Sequence, residues 1–164
     1  MQKHLMPNTY SSRGSSKANS YCRGSIFVDH ATGFIDVRLH VSFSAAYTIK
    51  AKLQFEREAL LTGVHVLSYH TDNGVFTSAE VMQELLKNDQ TILLSGVGAA
   101  HQNGITERAI KTVVSMTCTM MLHAAMRSPE GTITAELWPM AMDHAAWIYN
   151  RIPKPDTGLS SIQH

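Results

Sequence analysis

Apolar and polar residues alternate in two short segments in the first third of the chain. Residues 25–30 and 34–41 flank Ala31-Thr32-Gly33, and the second segment has an apolar residue at every other position. This alternation is typical of strands that bury one face, and the small turn between them suits a hairpin. The pattern therefore predicts a β-hairpin with one buried face, formed by Ile35, Val37, Leu39 and Val41.

The spacing of apolar residues changes to that of a helix between Ser44 and about Leu61, and Gly63 marks the end of this helix. Several apolar positions fall on a shared face. We therefore expect the buried side of the helix to draw on Ala46, Ile49, Leu53, Phe55 and Leu60.

Residues 66–70 and 91–94 are short apolar segments of strand length. Between them, Thr77 and Glu80 have the spacing of a capping box, which predicts the start of a helix. Residues 95–100 are rich in Gly and Ala and predict a loop after the second strand.

The longest helix is predicted from Asn103-Gly104 to about Arg127, and residues 128–131 break the chain after it. Its methionine-rich apolar stripe is typical of core packing rather than of a cofactor site. The expected stripe consists of Ile105, Ala109, Thr112, Met116 and Met120.

A last helix is predicted from about Thr134 to Tyr149, with Trp138 and Trp147 packed inward and two prolines, Pro153 and Pro155, behind its end. The complete order is hairpin, helix, strand, helix, strand, helix, helix. That order indicates an α/β sheet with helices on its faces.

The domain organisation follows from the same patterns. Residues 1–24 are rich in Ser, Asn, Gly and basic residues and show no periodicity, which predicts a flexible segment. We expect one domain over residues 25–152 and a C-terminal tail over residues 153–164.

Composition narrows the cellular setting. The hydrophobic content of 44% supports a core, and we expect no apolar stretch long enough to cross a membrane, which predicts a soluble, intracellular domain without a membrane partner. Cys22 and Cys118 lack the spacing of a disulfide framework or a zinc site and suit a reducing compartment. Because the net charge is only +1, any contact with DNA must depend on local placement of basic residues.

Two segments carry candidate chemistry, HTDNGVFTS at residues 70–78 and HQNGITERAIK at residues 101–111. Asp72 lies at the predicted end of a strand, where a carboxylate projects into the crevice formed by the loops, although Asp-Asn-Gly is also ordinary turn chemistry. Glu107 lies in the first turn of the longest helix, where an acid also complements the helix dipole. Lys111 follows one turn later, and a Glu and Lys at this spacing often form only a solvated pair.

These two segments, together with ELWPMAMDHAAWIYNRIP, resemble the catalytic core of retrotransposon integrases and are most similar to the copia-type lineage. The resemblance extends from about Ile26 to the end of the chain. It implies a ribonuclease-H-like mixed sheet flanked by helices. It further implies that Asp72 and Glu107 are the second and third catalytic acids and ligate Mg²⁺ or Mn²⁺, that Asn103 touches DNA, and that Arg108 and Lys111 meet DNA phosphates.

The implied activity is the trimming of a DNA 3′ end followed by its transfer to a target duplex, a two-metal reaction on phosphodiesters. The implied partners are double-stranded DNA, both element ends and target, and the implied location is the nucleus. Carboxylates suit Mg²⁺, whereas His70 and His101 do not, and we expect structural or loop roles for these histidines.

One departure from the family affects the expected activity. No Asp or Glu precedes Asp29. We expect the first strand and its catalytic acid to be lost or to lie upstream of Met1, and we do not expect Asp29 or Asp36 to replace that acid. A missing strand would leave two unpaired strand edges and favour self-association, and we expect this chain to be inactive.

Three other functions remain open at this point. A two-metal nuclease of the same fold would use Asp72 and Glu107 equally well. A non-catalytic remnant of a retroelement polyprotein, which binds nucleic acid or self-associates, would fit the missing acid. A purely structural α/β domain is also possible because short motifs produce false positives.

Overall fold

The computed structural model describes residues 21–42, 44–71, 75–94, 104–129 and 132–163. The predicted order of helices and strands is confirmed, with two additional single 3₁₀ turns at Val75–Thr77 and Ala135–Leu137. The strands and helices are β1 (Arg23–Val28), β2 (Ile35–His40), α1 (Ala45–Leu61), β3 (Ser68–Thr71), α2 (Ala79–Lys87), β4 (Thr91–Leu94), α3 (Gly104–Arg127) and α4 (Trp138–Tyr149).

The predicted hairpin forms, but it buries both faces. β1 and β2 pair antiparallel, so that Ile26 lies opposite Val37 and Phe27 lies opposite Asp36. Ile26, Val37 and their same-face neighbours pack in a cluster with residues of α3 and α4. Phe27 points the other way into a second cluster with residues of α1, β3 and α2. The prediction of one buried face was therefore wrong, because the hairpin lies between two layers of helices.

The buried face of α1 also differs from its prediction. Its buried residues are Thr48, Ala51 and Lys52, whereas Leu53 and Leu60 are exposed. The helix ends as predicted, with Gly63 in the left-handed region at a φ of 83° and its amide bonded to the carbonyl of Leu60. The apolar spacing predicted part of the face correctly, because Ile49 and Phe55 pack against the core, but it did not predict that α1 buries a charged side chain and leaves two leucines in solvent.

The helix α2 begins without the predicted capping box. Its N-cap is Ser78 and makes no side-chain cap hydrogen bond, while Thr77 belongs to the preceding 3₁₀ turn. The strand before it, β3, covers Ser68–Thr71 rather than residues 66–70 and pairs in parallel with β4. β4 has the predicted bounds.

The helix α3 packs on α4 and β1, and its buried residues are Ala109, Val113 and Thr117. Ile105, expected in the core, is 48% exposed. α3 has 24 residues, and the mean hydropathy of its most apolar window is 1.2, so among the described helices it is long and apolar enough to cross a membrane, contrary to the expectation from sequence. Only 17% of that window is buried inside the fold.

The helix α4 leaves one of its two tryptophans in solvent. Trp147 is 51% exposed, so its predicted inward packing was wrong. Arg151 lies over its ring at 3.8 Å and His144 stacks on it, with centroids 5.9 Å apart. The polar side chain that α4 does bury is Asn150, which binds both the amide and the carbonyl of Ile35.

The molecule is thus a mixed α/β fold, as the sequence predicted. In the described part of the chain it contains one antiparallel strand pair and one parallel pair. Residues 1–20, which include most of the predicted flexible segment, lie outside the described residues, as does the predicted loop at 95–100.

Candidate functional site

The two parallel strands place candidate site residues at one edge of the sheet. β3 ends at Thr71 and β4 ends at Leu94, and these two residues are register partners. The carboxyl ends of parallel strands meet at a common edge, where loops form binding crevices. Asp72 follows β3 directly, but residues 72–74 and 95–103, including Asn103, lie outside the described part of the structure.

The start of α3 carries the other predicted residues. Glu107 lies in its first turn, and Glu107, Arg108 and Lys111 are all exposed. Ala109 is buried and fixes which side of the helix faces the core. Glu107 and Lys111 form no ion pair with each other or with any other described residue, so both charges are available to a ligand.

The described residues contain no group of three or more metal-ligating side chains. Among their carboxylates, which are ligands of the kind that Mg²⁺ prefers, Glu107 is exposed and unpaired in the first turn of α3. This side chain fits a divalent ion, whereas the position of Asp72 relative to Glu107 is outside the described residues.

Asp29 and Asp36 are engaged in local structure. The Asp29 carboxylate accepts hydrogen bonds from the amide and hydroxyl of Thr32, at 3.0 and 2.6 Å, and from the amide of Ala31. Partial burial would raise the pKa of Asp29, but these hydrogen bonds outweigh it and lower the pKa below its ordinary value. Asp36 pairs with Arg38 at 2.5 Å. Both acids therefore stabilise the hairpin region.

A buried polar cluster lies behind β3, and the sequence did not reveal it. The cluster, called here the Glu56 cluster, consists of Lys52, Glu56, Tyr69 and Gln90. Lys52 is fully buried and lies 2.9 Å from the Glu56 carboxylate, which also accepts hydrogen bonds from Tyr69 and Gln90. A Lys and a Glu four residues apart on a helix usually indicate an exposed pair. The sequence pattern therefore did not predict that the Lys52–Glu56 pair lies inside the fold.

His70 lies in β3, and its ring is 6.2 Å from that of His30. His101 lies outside the described residues.

Comparison with solved structures identifies the fold. The HTLV-2 integrase catalytic core domain, in its trimeric form in complex with magnesium, is 22% identical, with a TM-score of 0.64 over 87% of this chain and 83% of that chain. The BIV integrase catalytic core domain is 18% identical, with a TM-score of 0.59 over 84% and 81%. This chain has the fold of a retroviral integrase catalytic core.

A chain of the simian T-cell lymphotropic virus intasome has a TM-score of 0.67 and 15% identity, over 84% of this chain and 46% of that chain. No protein-family model matches the sequence, and no curated protein matches it. At these identities the comparisons establish the fold, and the copia-type lineage remains a prediction from the motifs.

Proposed function

We propose that this chain is the core of an integrase-type polynucleotidyl transferase that acts on double-stranded DNA. The observation that carries the proposal is the integrase-core fold in which Glu107, Arg108 and Lys111 lie exposed at the start of the helix that follows β4. A chain with this role in a copia-type retrotransposon would act in the nucleus.

The proposed roles follow the chemistry of each side chain. Arg108 and Lys111 would contact phosphates of the element end, because cations one turn apart on an exposed helix suit a phosphate backbone. Asn103 would contact DNA from the loop before α3. Asp72 and Glu107 would hold Mg²⁺ or Mn²⁺, which when bound helps to activate the attacking oxygen and to neutralise the leaving oxygen.

The acids available in the hairpin region bear on the proposed activity. No Asp or Glu precedes Asp29, and both Asp29 and Asp36 are held in hydrogen bonds or ion pairs. A two-metal site needs a carboxylate shared between the ions, so we propose that this chain by itself binds DNA without joining it. The engagement of Asp29 and Asp36 also favours the second candidate function, a non-catalytic domain that binds nucleic acid or self-associates.

Self-association belongs to the same proposal. The solved HTLV-2 cores include dimeric and trimeric forms. In this chain, α4 exposes Trp147 together with Met140, and α1 forms a shallow apolar groove with Ile49 and Leu53 on its floor. We propose that these two helices contribute to contacts between copies.

DNA binding is tested by fluorescence anisotropy with a labelled duplex over a range of salt concentrations. The double variant Arg108→Gln/Lys111→Gln should bind more weakly and should lower the slope of log K against log salt by about 2, since each neutralised phosphate contributes about 0.9. A matched double variant on other helices, Lys50→Gln/Lys87→Gln, should behave as wild type. Equal losses in both double variants would show that binding is non-specific and would contradict the proposed interface.

The metal site is tested by titration of Mn²⁺ in a calorimeter. Glu107→Gln and Asp72→Asn should each abolish measurable binding, while Glu80→Gln, in the first turn of α2, should leave it unchanged. Binding unchanged in all three variants would contradict the metal site and favour the non-catalytic function.

A reaction with matched terminal-repeat DNA distinguishes the integrase from a nuclease of the same fold. Nicking of the DNA without joining would favour the nuclease.

A further inference from the structure

The Glu56 cluster joins three parts of the chain through one carboxylate. Tyr69 Oη and Gln90 Nε2 each donate to Glu56 Oε1 at 2.6 Å, and Lys52 Nζ lies 2.9 Å from the same oxygen. Lys52 and Glu56 belong to α1, Tyr69 to β3, and Gln90 immediately precedes β4. Gln90 Nε2 also donates to the carbonyl of Val66 at 2.9 Å, just before β3.

The cluster is costly for a purely structural contact. Burying the Lys52 ammonium completely and most of the Glu56 side chain requires desolvation, and well-packed apolar residues of similar volume often stabilise a core equally well or better. Burial, together with the hydrogen bond to Glu56, also raises the pKa of Tyr69 above its ordinary value, so its hydroxyl keeps its proton and donates. Unlike apolar packing, the cluster fixes the relative orientation of the segments it joins, because each hydrogen bond holds its donor at a defined distance and angle from the Glu56 carboxylate.

The location of the cluster indicates what it orients. Tyr69 is the second residue of β3, which ends at Thr71 and leads directly to Asp72. Lys52 is fully buried, so it cannot contact DNA or substrate itself. We propose that the Glu56 cluster positions β3 against α1 and thereby holds the end of the strand that presents Asp72. Lys52, Glu56, Tyr69 and Gln90 are thus positioning residues, an inference that rests on the proposed role of Asp72.

The main variant is Tyr69→Phe, which removes the hydroxyl that donates to Glu56 and keeps the ring that packs near Phe27 and Phe76. Tyr47→Phe is the matched control, because no hydrogen bond of the Tyr47 hydroxyl occurs within the described structure. Glu56→Gln is a second variant, which keeps the shape of the Glu56 side chain but removes its charge. Hydrogen exchange of backbone amides, followed residue by residue, is the first measurement.

In Tyr69→Phe, amide exchange at residues 68–71 should accelerate about five- to tenfold, as expected for the loss of one buried hydrogen bond. The amides of the β1–β2 hairpin should keep their wild-type exchange rates, and Tyr47→Phe should change neither region. Exchange that rises equally in β3 and in the hairpin, or that does not rise at all, would overturn the proposal. If Glu56→Gln fails to fold, Tyr69→Phe still decides the question.

The second measurement is the dissociation constant for Mn²⁺, which Tyr69→Phe should raise about tenfold, as for residues that orient metal ligands. An unchanged constant in a variant whose β3 exchanges faster would overturn the link to Asp72. If the wild-type chain binds no Mn²⁺, the proposed metal site and this link both fail, whereas the exchange data alone still decide whether the cluster positions β3.

Discussion

Asn150 shows how single polar side chains determine the packing of this fold. At 4% exposure, its side-chain amide accepts a hydrogen bond from the Ile35 amide at 2.8 Å and donates one to the Ile35 carbonyl at 2.7 Å. Ile35 is the first residue of β2 and Asn150 is the C-cap of α4. One side chain therefore satisfies backbone groups at the edge of β2 and fixes α4 to the hairpin.

Replacing Asn150 should be strongly destabilising. Asn150→Ala leaves two buried backbone groups without partners, and we expect a loss of about 3 kcal/mol in the free energy of unfolding, measured by urea denaturation. Asn150→Asp should cost at least as much, because a carboxylate cannot donate to the Ile35 carbonyl. Gln83→Glu, the same amide-to-acid change at an exposed position of α2, should stay within about 0.5 kcal/mol of wild type. A similar small change at both positions would contradict the role assigned to Asn150.

His40 provides a pH dependence with a definite sign. Its side chain is buried, with Nε2 2.9 Å from the Ser25 hydroxyl, and burial lowers its pKa below the ordinary 6.5. The unfolded chain then binds the proton more tightly, so the stability contributed by neutral His40 is lost as pH falls below about 6.5. Asp29, with a lowered pKa, loses its contribution only below its ordinary value of 3.8.

We therefore expect wild-type stability to decline as pH falls below about 6.5, and His40→Gln to flatten this decline. Urea denaturation at several pH values measures it. His65→Gln, at an exposed position, should retain the wild-type dependence. If the stability of His40→Gln declines with falling pH as steeply as that of the wild type, other titratable groups cause the decline.

At the scale of elements, existence and order were predictable from sequence, but the orientation of the helices was predictable only in part. Of the face expected for α1, Ile49 and Phe55 pack against the core, whereas Leu53 and Leu60 are exposed, and the helix also buries Thr48, Ala51 and Lys52. Lys52 can be buried because the Glu56 carboxylate neutralises its charge inside the fold. That carboxylate also accepts hydrogen bonds from Tyr69 of β3 and from Gln90, so the burial of Lys52 depends on residues outside α1. A helical pattern contains no information about a partner strand.

Two adjacent leucines in α2 test which face of that helix is buried. Leu85 is 1% exposed and packs in the cluster that contains Phe27 and Tyr69, while its neighbour Leu86 is 71% exposed. Leu85→Ala should lower the free energy of unfolding by about 3 kcal/mol because it leaves a cavity. Leu86→Ala, the same substitution one residue later, should change it by less than about 0.5 kcal/mol. Comparable losses in thermal or urea unfolding would mean that α2 is rotated.

At the scale of the whole molecule, exposed apolar side chains indicate a surface suited to a partner. Trp147 is half exposed between Arg151 and His144 on α4, and Leu53 is exposed in the α1 groove. Large exposed apolar groups often mark protein interfaces, and tryptophan and arginine frequently dominate their binding energy. These features support the proposed contact between copies.

If copies associate through this surface, Trp147→Glu should weaken the association at least about tenfold. Sedimentation velocity over a concentration range measures the effect. Met126→Glu, on α3 at 83% exposure, introduces the same charge elsewhere and should leave the dissociation constant unchanged. If both variants weaken the association equally, the cause is a general effect of the added charge. If neither variant weakens it, the copies associate through another interface.

The sequence by itself determined the order of elements, the α/β class and the positions of candidate acids, because local periodicity and short motifs depend on neighbouring residues. It placed Asp72 after a strand and Glu107 in the first turn of α3, and both assignments agree with the observed bounds of β3 and α3. The tertiary structure alone decided that the hairpin is covered on both faces, that Trp147 is exposed, and that Lys52 is buried beside Glu56. Those outcomes depend on residues far apart in the chain, whose mutual neutralisation and packing exist only once the elements have come together.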